Sequence, residues 1–424
     1  MLIRNLAGII GTDNGRPYLR GKEISEINSL PNAWLRIIKG EIVGFGKMSE
    51  VPAVESTEEV IEGAGCLLLP AFCDSHTHLV YPESRSGEFL DKIEGYTYEQ
   101  IAASGGGILN SADKLAAMTE SDLFDTEMER VDEVIAMGNG ALERKSGYGL
   151  SLDTELKMLR VIARIAEKVS IPVKATFLGA HAVGRAFAGF QERYVDHLVD
   201  HMLPAVAAQS IAEFVDVFCD TGFFTTGQTA RILEAASKYG LRPKIHGNEL
   251  AASGGVEVAV EHDALSVDHL ERAGEAQLRL LGQNDTVATM LPGASFFLGM
   301  PYADARKAIE NNAIVALASD FNPGSSPSGD MRFVMALGCI KMRMTPTEAF
   351  NATTVNGAYA MGVDEECGSI KVGKPANLIL TLPLKEGSNT ENPEPLQLLT
   401  EIPYRYTRPW IRKRIVPVFN EFGN

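Results

Sequence analysis

The chain reads as an α/β protein, a (β/α)8 TIM barrel with a small β domain built from both chain ends. Three observations carry that reading. Between residues 66 and 342, eight short, apolar, β-branched segments alternate with amphipathic helical segments, the pattern of parallel strands joined by helical crossovers. The first of these strands runs into Asp74-Ser75-His76-Thr77-His78, where a doubly wound sheet would carry a Gly-rich phosphate loop. Residues 1–65 carry short β-type runs broken by Gly, Pro and Asn, and the segment from Gly368 to Leu380 returns to strand and turn texture. The expected division is 1–65 plus 363–424 for the β domain and 66–362 for the barrel.

In order, residues 1–10 alternate and contain one early basic residue, which favours a first strand over a signal peptide. Leu35-Arg36-Ile37-Ile38 and Glu41-Ile42-Val43-Gly44-Phe45 continue the strand texture. The apolar run 66–73 is the first barrel strand. Helices are then expected at 120–137, 153–169, 192–208, 226–239, 255–260, 275–281 and 303–311. They lead to strands at 141–145, 173–178, 214–218, 243–246, 265–269, 286–290 and 314–318. A helix at 331–342 closes the series, and another runs from 345 to 361.

At 424 residues and 45% hydrophobic content the chain has enough material for a large core. A net charge of −16 argues against a nucleic-acid or anionic-membrane surface, which needs clustered Lys and Arg. No apolar run approaches the ~20 residues of a membrane span. The five cysteines (66, 73, 219, 339 and 367) are odd in number and widely spaced, as in a reduced cytoplasmic protein. Cys73 should point away from His76 and serve packing.

Catalytic side chains of such barrels gather at the C-terminal ends of the strands. Five of the eight histidines fall there: His76, His78, His181, His246 and His269. His197, His201 and His262 lie elsewhere and read as surface or helix-packing residues. Residues two apart on a strand share a side, so His76 and His78 aim into one cavity. His246 and Asp320, from the fifth and eighth strands, complete a set of ligands for one cation. Three imidazoles and a carboxylate suit Zn2+, Fe2+ or Mn2+, and a water would make the site five-coordinate. Taken singly, His246 reads equally as a core residue and Asp320 as a turn cap; their matching strand ends favour the site.

A metal-bound water is acidified toward a pKa of about 7, and its proton needs a carrier. Glu249, three residues after His246, is placed to take it, His269 to polarise the carbonyl under attack, and Asp320 to share the proton. The residues alone do not order these transfers. Arg85 is placed to clamp a carboxylate, although an Arg in a polar loop is by itself more often a solvated charge. Tyr148 and His181 are placed to hydrogen-bond a polar ring. The loop Asn322-Pro323-Gly324-Ser325-Ser326-Pro327 offers N–H groups and hydroxyls.

These ligands resemble those of the mononuclear amidohydrolase superfamily. More narrowly, residues 74–85, 145–150, 177–182, 268–271 and 317–325 are similar to the imidazolonepropionase family. The most specific segments are Lys145-Ser146-Gly147-Tyr148-Gly149-Leu150 and Ser319-Asp320-Phe321-Asn322-Pro323-Gly324-Ser325. The resemblance runs through the whole barrel and into both ends. It implies hydrolysis of 4-imidazolone-5-propanoate to N-formimidoyl-L-glutamate by a metal-bound hydroxide, with one divalent or trivalent ion, zinc or iron. It further implies His76, His78, His246 and Asp320 as ligands, and His269 assisting at the carbonyl. Arg85, Tyr148, His181, Glu249, Asn322, Gly324 and Ser325 would meet substrate or product, with Tyr98 also facing the pocket. Two positions depart from the pattern. Gly247-Asn248 stands where the family usually has Ala-Asp, and Asn377 stands where the superfamily's Gly-Lys-x-Ala-Asp turn has Asp.

The expected partner is a small molecule with a carboxylate tail, with neither nucleic acid nor membrane, and the only expectation for assembly is the commonest one, a homodimer. The enzyme rival is a deaminase of the same superfamily acting on an aminated heterocycle, which Arg85 with Tyr148 disfavours. The rival of another class is a non-catalytic binding protein on the same barrel, which would lack ligands or the acid; all are present.

Overall fold

The computed structural model describes residues 1–96, 100, 106–383, 395–407 and 411–416. Five strands come first: β1 (Leu2–Thr12), β2 (Asn28–Ile38), β3 (Glu41–Lys47), β4 (Val60–Glu62) and β5 (Leu67–Pro70). The barrel strands follow: β6 (Phe72–Thr77), β7 (Asn139–Lys145), β8 (Val173–Ala180), β9 (Phe214–Cys219), β10 (Arg242–Gly247), β11 (Ser266–His269), β12 (Val287–Met290) and β13 (Val315–Leu317). Near the C-terminus lie β14 (Leu378–Thr381) and β15 (Ile411–Ile415).

Strands β6 to β13 form one eight-stranded sheet in chain order, each neighbouring pair parallel. The ring closes through the segment after β13. Asp320 N–H donates to the His76 carbonyl (3.0 Å), and His78 N–H donates to that of Phe321 (2.9 Å). The Asp74 carboxylate accepts from the Ser319 N–H (2.9 Å) and hydroxyl (2.5 Å). The seam of the barrel therefore runs through the residues expected to hold the metal.

Among the described residues the chain ends share a second sheet of seven strands, ordered β15-β14-β5-β1-β2-β3, with β4 beside β1. The apolar run 66–73, expected as one strand, is split. Leu67–Pro70 pairs with β1 and β14 in the end sheet, while Phe72–Thr77 opens the barrel. Pro70 has no N–H to give, so it suits the end of a strand, and one residue later the chain changes sheets.

Alternation along the barrel strands explains their composition. Val215, Val217, Ile245 and Val267 join the large apolar core under the helices, while Asp216, Lys244, His246 and Asp268 alternate with them and are buried, on the inner side of the ring. Two helices differ from expectation. The one expected at 192–208 carries a π segment, Leu198–Met202, just before Pro204, a residue that cannot continue the i→i−4 ladder. The one expected at 345–361 breaks into Pro346–Thr353 and Val355–Tyr359. The Thr353 and Thr354 hydroxyls bond back to the carbonyls of Ala349 and Phe350, which bends a helix. Helices Ser86–Ile93, Gly107–Ala117 and Pro292–Leu298 add to the expected set.

The two departures from the family pattern have local reasons. Asn377 donates to the Gly140 carbonyl (2.6 Å) and the Cys367 sulfur (3.1 Å) and accepts from Arg414; a carboxylate could not donate. Gly247 packs against Gly255, the first residue of helix Gly255–Glu261, so closely that a Cβ on Gly255 would lie 2.7 Å from Gly247 Cα. Gly255→Ala is accordingly expected to cost about 1–3 kcal/mol through overpacking, read as a lowered thermal midpoint; an unchanged midpoint would show that this contact gives way freely.

Candidate active site

Three imidazoles and one carboxylate converge at the top of the barrel. His76 Nε2 and His246 Nε2 each lie 3.3 Å from His78 Nε2. Asp320 Oδ1 lies 3.6 Å from the Nε2 atoms of His76 and His78. All four side chains are buried, with residue exposures of no more than 2%. Among the described residues, His76, His78 and Asp320 form one group spaced to hold an ion, and His76, His246 and His269 form another that overlaps it.

The donor set fits a small cation. Bonds of about 2.0–2.1 Å at tetrahedral angles place ligand atoms about 3.3–3.4 Å apart, close to the separations present. A carboxylate stands beside each outer ring nitrogen: His76 Nδ1 is hydrogen-bonded to Asp268 Oδ2 at 2.6 Å, and His246 Nδ1 lies 2.9 Å from Asp216 Oδ2. A carboxylate at Nδ1 holds the proton there and leaves the Nε2 lone pair facing inward. Burial, joined by Lys145 at His76 and by His181 at His78, drives both rings well below the ordinary histidine pKa. They are therefore neutral, the form that ligates.

Beneath the histidines lies a fully buried layer of charge. Lys145 Nζ donates to Glu143 Oε1 and Asp216 Oδ2, both at 2.7 Å, and lies 3.6 Å from Asp268 Oδ2. Lys244 Nζ donates to Glu143 Oε2 (2.7 Å) and to the Ser75 carbonyl (3.0 Å). Burial alone would raise Asp216, but His246 and Lys145 hold it well below the usual carboxylate range. One ammonium thus touches both carboxylates that orient the metal-facing histidines. Lys145, Lys244, Glu143 and Asp216 have no role in the expectations drawn from sequence above. Their signal was present: a charged residue inside an apolar, β-branched strand must find a buried partner.

His269 sits above this layer between two carboxylates, with Nε2 3.5 Å from Glu249 Oε2 and Nδ1 3.6 Å from Glu271 Oε2. Strand alternation would turn His269 away from Asp268. Its φ of 85°, with 72° at Leu270, breaks the alternation and lets the ring face the cavity. Burial works to lower His269, but Glu249 and Glu271 outweigh it and hold the ring up to about 10. Burial raises Glu249 to about 7 and Asp320 to about 6. Glu271, which also accepts from the Ser295 hydroxyl at 3.0 Å, was missed in the sequence.

The cavity over these groups has a volume of about 610 Å³. Arg85, Tyr148, His181, Glu249, His269, Asn322, Gly324 and Ser325 all line it, with His78, His246 and Asp320 at its floor. His181 Nδ1 faces the Gly147 carbonyl at 3.0 Å; burial first, then His246, lowers its pKa to about 3, so the ring is neutral. The Asn322 amide is spent on its own loop, donating to the Asp320 carbonyl and accepting from the Gly324 and Ser325 N–H groups. Arg85 donates to Glu88 through Nε (2.8 Å) and Nη2 (2.5 Å). Phe218, Phe223, Phe296 and Phe297 give the walls an apolar face that the sequence did not reveal. Tyr98 lies outside the described residues.

Lys145→Met should leave Asp216 and Asp268 without their shared ammonium, with Lys244 pairing only Glu143, and so loosen both histidine anchors. Changes to such outer partners typically cost about 10- to 100-fold in metal affinity. We expect that loss in a competition with a chromophoric chelator; wild-type affinity in a folded variant would contradict the anchoring.

The chain matches the model of the amidohydrolase family over residues 67–398. It is 48% identical to the imidazolonepropionase of Flavobacterium johnsoniae over 86% of this chain and 88% of that one. It is 38% identical to that of Alkaliphilus oremlandii over 89% and 90%. Among solved structures it resembles E. coli guanine deaminase, with a TM-score of 0.70 at 14% identity over 98% of both chains. It also resembles atrazine chlorohydrolase TrzN from Arthrobacter aurescens complexed with zinc, with a TM-score of 0.66 at 16% identity over 94% of this chain and 90% of that one. At such identities the two structures speak for the fold alone. The chain belongs to the amidohydrolase family and, within it, to the imidazolonepropionases.

Proposed function

We propose that this chain hydrolyses 4-imidazolone-5-propanoate to N-formimidoyl-L-glutamate, a step of histidine degradation. The observation that carries the reading is the convergence, in one cavity, of the His/Asp cluster, the Glu249–His269 pair and the cationic Arg85. In the reaction the ring carbonyl carbon takes the oxygen of water, its bond to the ring nitrogen breaks, and that nitrogen takes a proton. A single zinc or iron ion held by His76, His78, His246 and Asp320 would supply a Lewis acid and an acidified water.

The chain's own groups supply the remainder. Glu249, with a pKa of about 7, is poised to take a proton from water and return it to the departing nitrogen. His269, held at about 10, is cationic at neutral pH and donates toward the carbonyl oxygen as negative charge builds there. Asp320 stands beside them in the same cavity to share the proton. Tyr148 and His181 hold the ring, and Arg85 faces its carboxylate tail, while the phenylalanine walls keep water from the reacting bond. All five cysteines are free of disulfides, the usage of cytoplasmic proteins, and no helix among the described residues is long and apolar enough to cross a membrane.

Conversion of imidazolone propanoate, followed by its ultraviolet absorbance with formimidoylglutamate identified as product, tests the reading. Ammonia release from aminated heterocycles without ring opening would overturn it. Because Glu249 must begin as carboxylate, kcat/KM should fall as pH drops through about 7. Glu249→Gln should remove that limb and lower kcat by about 10²- to 10⁴-fold; a variant with wild-type kcat would remove Glu249 from the proton path. Arg85→Ala should raise KM, and unchanged saturation behaviour would remove Arg85 from the pocket.

A further inference from the structure

The charge at the tail end of the cavity does not come from Arg85 alone. Arg85 turns its Nε and Nη2 donors onto Glu88, so the edge best shaped to grip a carboxylate is already committed. Glu88 takes a further bond from the Gly107 N–H (2.9 Å). Burial would raise Glu88, yet Arg85 and Gly107 together hold it below its ordinary pKa. Arg85 and Glu88 thus form a neutral pair. An ionised substrate tail meeting that pair would gain direction but little net attraction.

Lys92 lies one turn beyond Glu88 on the same helix, Ser86–Ile93, and lines the same cavity. Its Nζ donates to the Gly324 carbonyl at 2.6 Å and stands 5.1 Å from the centre of the Phe297 ring. Phe297 is itself stacked on Phe89, with ring centres 5.3 Å apart. Gly324 is where the two cations meet: the Arg85 guanidinium lies so close to its Cα that a Cβ there would overlap it. The half-buried ammonium is therefore fixed at the arginine end of the cavity by a carbonyl and an aromatic face. Neither of these neutralises it, and Glu88, the carboxylate that also acts on it, carries one negative charge against the two cations Arg85 and Lys92.

We propose that Lys92 is a specificity-determining residue that supplies the net positive charge for the substrate's carboxylate, while Arg85, balanced by Glu88, orients that carboxylate. The inference rests on the ring-opening reading above and names the group that selects an anionic tail. A structural role for Lys92, tying helix Ser86–Ile93 to the Asn322–Ser325 loop through Gly324, would affect charged and neutral ligands alike. Selection by charge affects only the former.

The test uses the metal-loaded enzyme and two unreactive ligands, 3-(imidazol-4-yl)propanoate and its primary amide, with binding measured by calorimetry. A hydrogen bond to a charged group is worth about 1.5–3 kcal/mol, so the wild type should prefer the carboxylate by about 10- to 100-fold. Lys92→Met should bring the two affinities together, and Lys92→Arg should restore most of the preference. With imidazolone propanoate, Lys92→Met should raise KM by a similar factor at nearly constant kcat. A Lys92→Met enzyme that keeps the wild-type preference overturns the proposal, as does a wild type that shows none. Parallel turnover by the wild type separates these outcomes from a failure of the ring-opening reading: normal turnover with the preference retained in Lys92→Met removes Lys92 alone.

Discussion

The site depends on a buried ammonium. Lys145 lies inside the barrel against Glu143, Asp216 and Asp268, and the last two hold the outer nitrogens of His246 and His76. A buried layer of this kind is a poor source of stability, because desolvating each charge costs several kcal/mol before any pairing is gained. Its use here is geometric. With every member paired, the rings cannot rotate or exchange tautomers without exposing an unpaired charge to a medium of low dielectric. Removing one member is correspondingly severe, on the order of 3–5 kcal/mol. Lys244 extends the same layer to the Ser75 carbonyl on β6 and the Ala360 carbonyl beyond helix Val355–Tyr359, so the floor of the site is tied to the base of the barrel.

Above this rigid layer the rim is strained. Asn248, His269, Leu270 and Asp320 all have positive φ, at about 1–3 kcal/mol for each such residue. Fixed hydrogen bonds hold the strain: Arg272 N–H to the Asn248 carbonyl (2.7 Å), Leu270 N–H to that of Gly247 (3.2 Å), and Asp320 N–H to that of His76 (3.0 Å). The two levels also separate the carboxylates by task. Asp216, beside Lys145 and His246, stays ionised and anchors a ring. Glu249 is raised by burial and, among its neighbours, by Glu271, to where it can exchange a proton near neutral pH. Environment, not residue type, sets the two carboxylates apart.

Much of this was legible in the chain. The His76–His78 pair was readable because a strand has a period of two. The alternation of strand and helix put His246 and Asp320 at matching ends. The inward turn of His269 was not readable, since it depends on left-handed backbone at a non-glycine residue, which no side-chain pattern announces. The Lys145 layer was hidden for a different reason: each of its members is a single charge in a separate strand, and only the closed ring brings them together. The helices walling the cavity were missed because they are short and bounded by Gly or Pro. Several of their apolar residues, among them Phe89, Phe296 and Phe297, face the cavity instead of the barrel core. Asn322 lines the cavity, and its amide serves the loop itself.

On the function proposed above, a single ion, seated by histidines already aligned for it, makes the cavity competent for ring opening. The most direct measurement is titration of metal-stripped protein with Zn2+ or Fe2+ while imidazolone propanoate absorbance is followed. The account predicts no turnover without metal, and a linear recovery that saturates at one ion per chain. Full turnover by the stripped protein, or saturation only at two ions per chain, would contradict it.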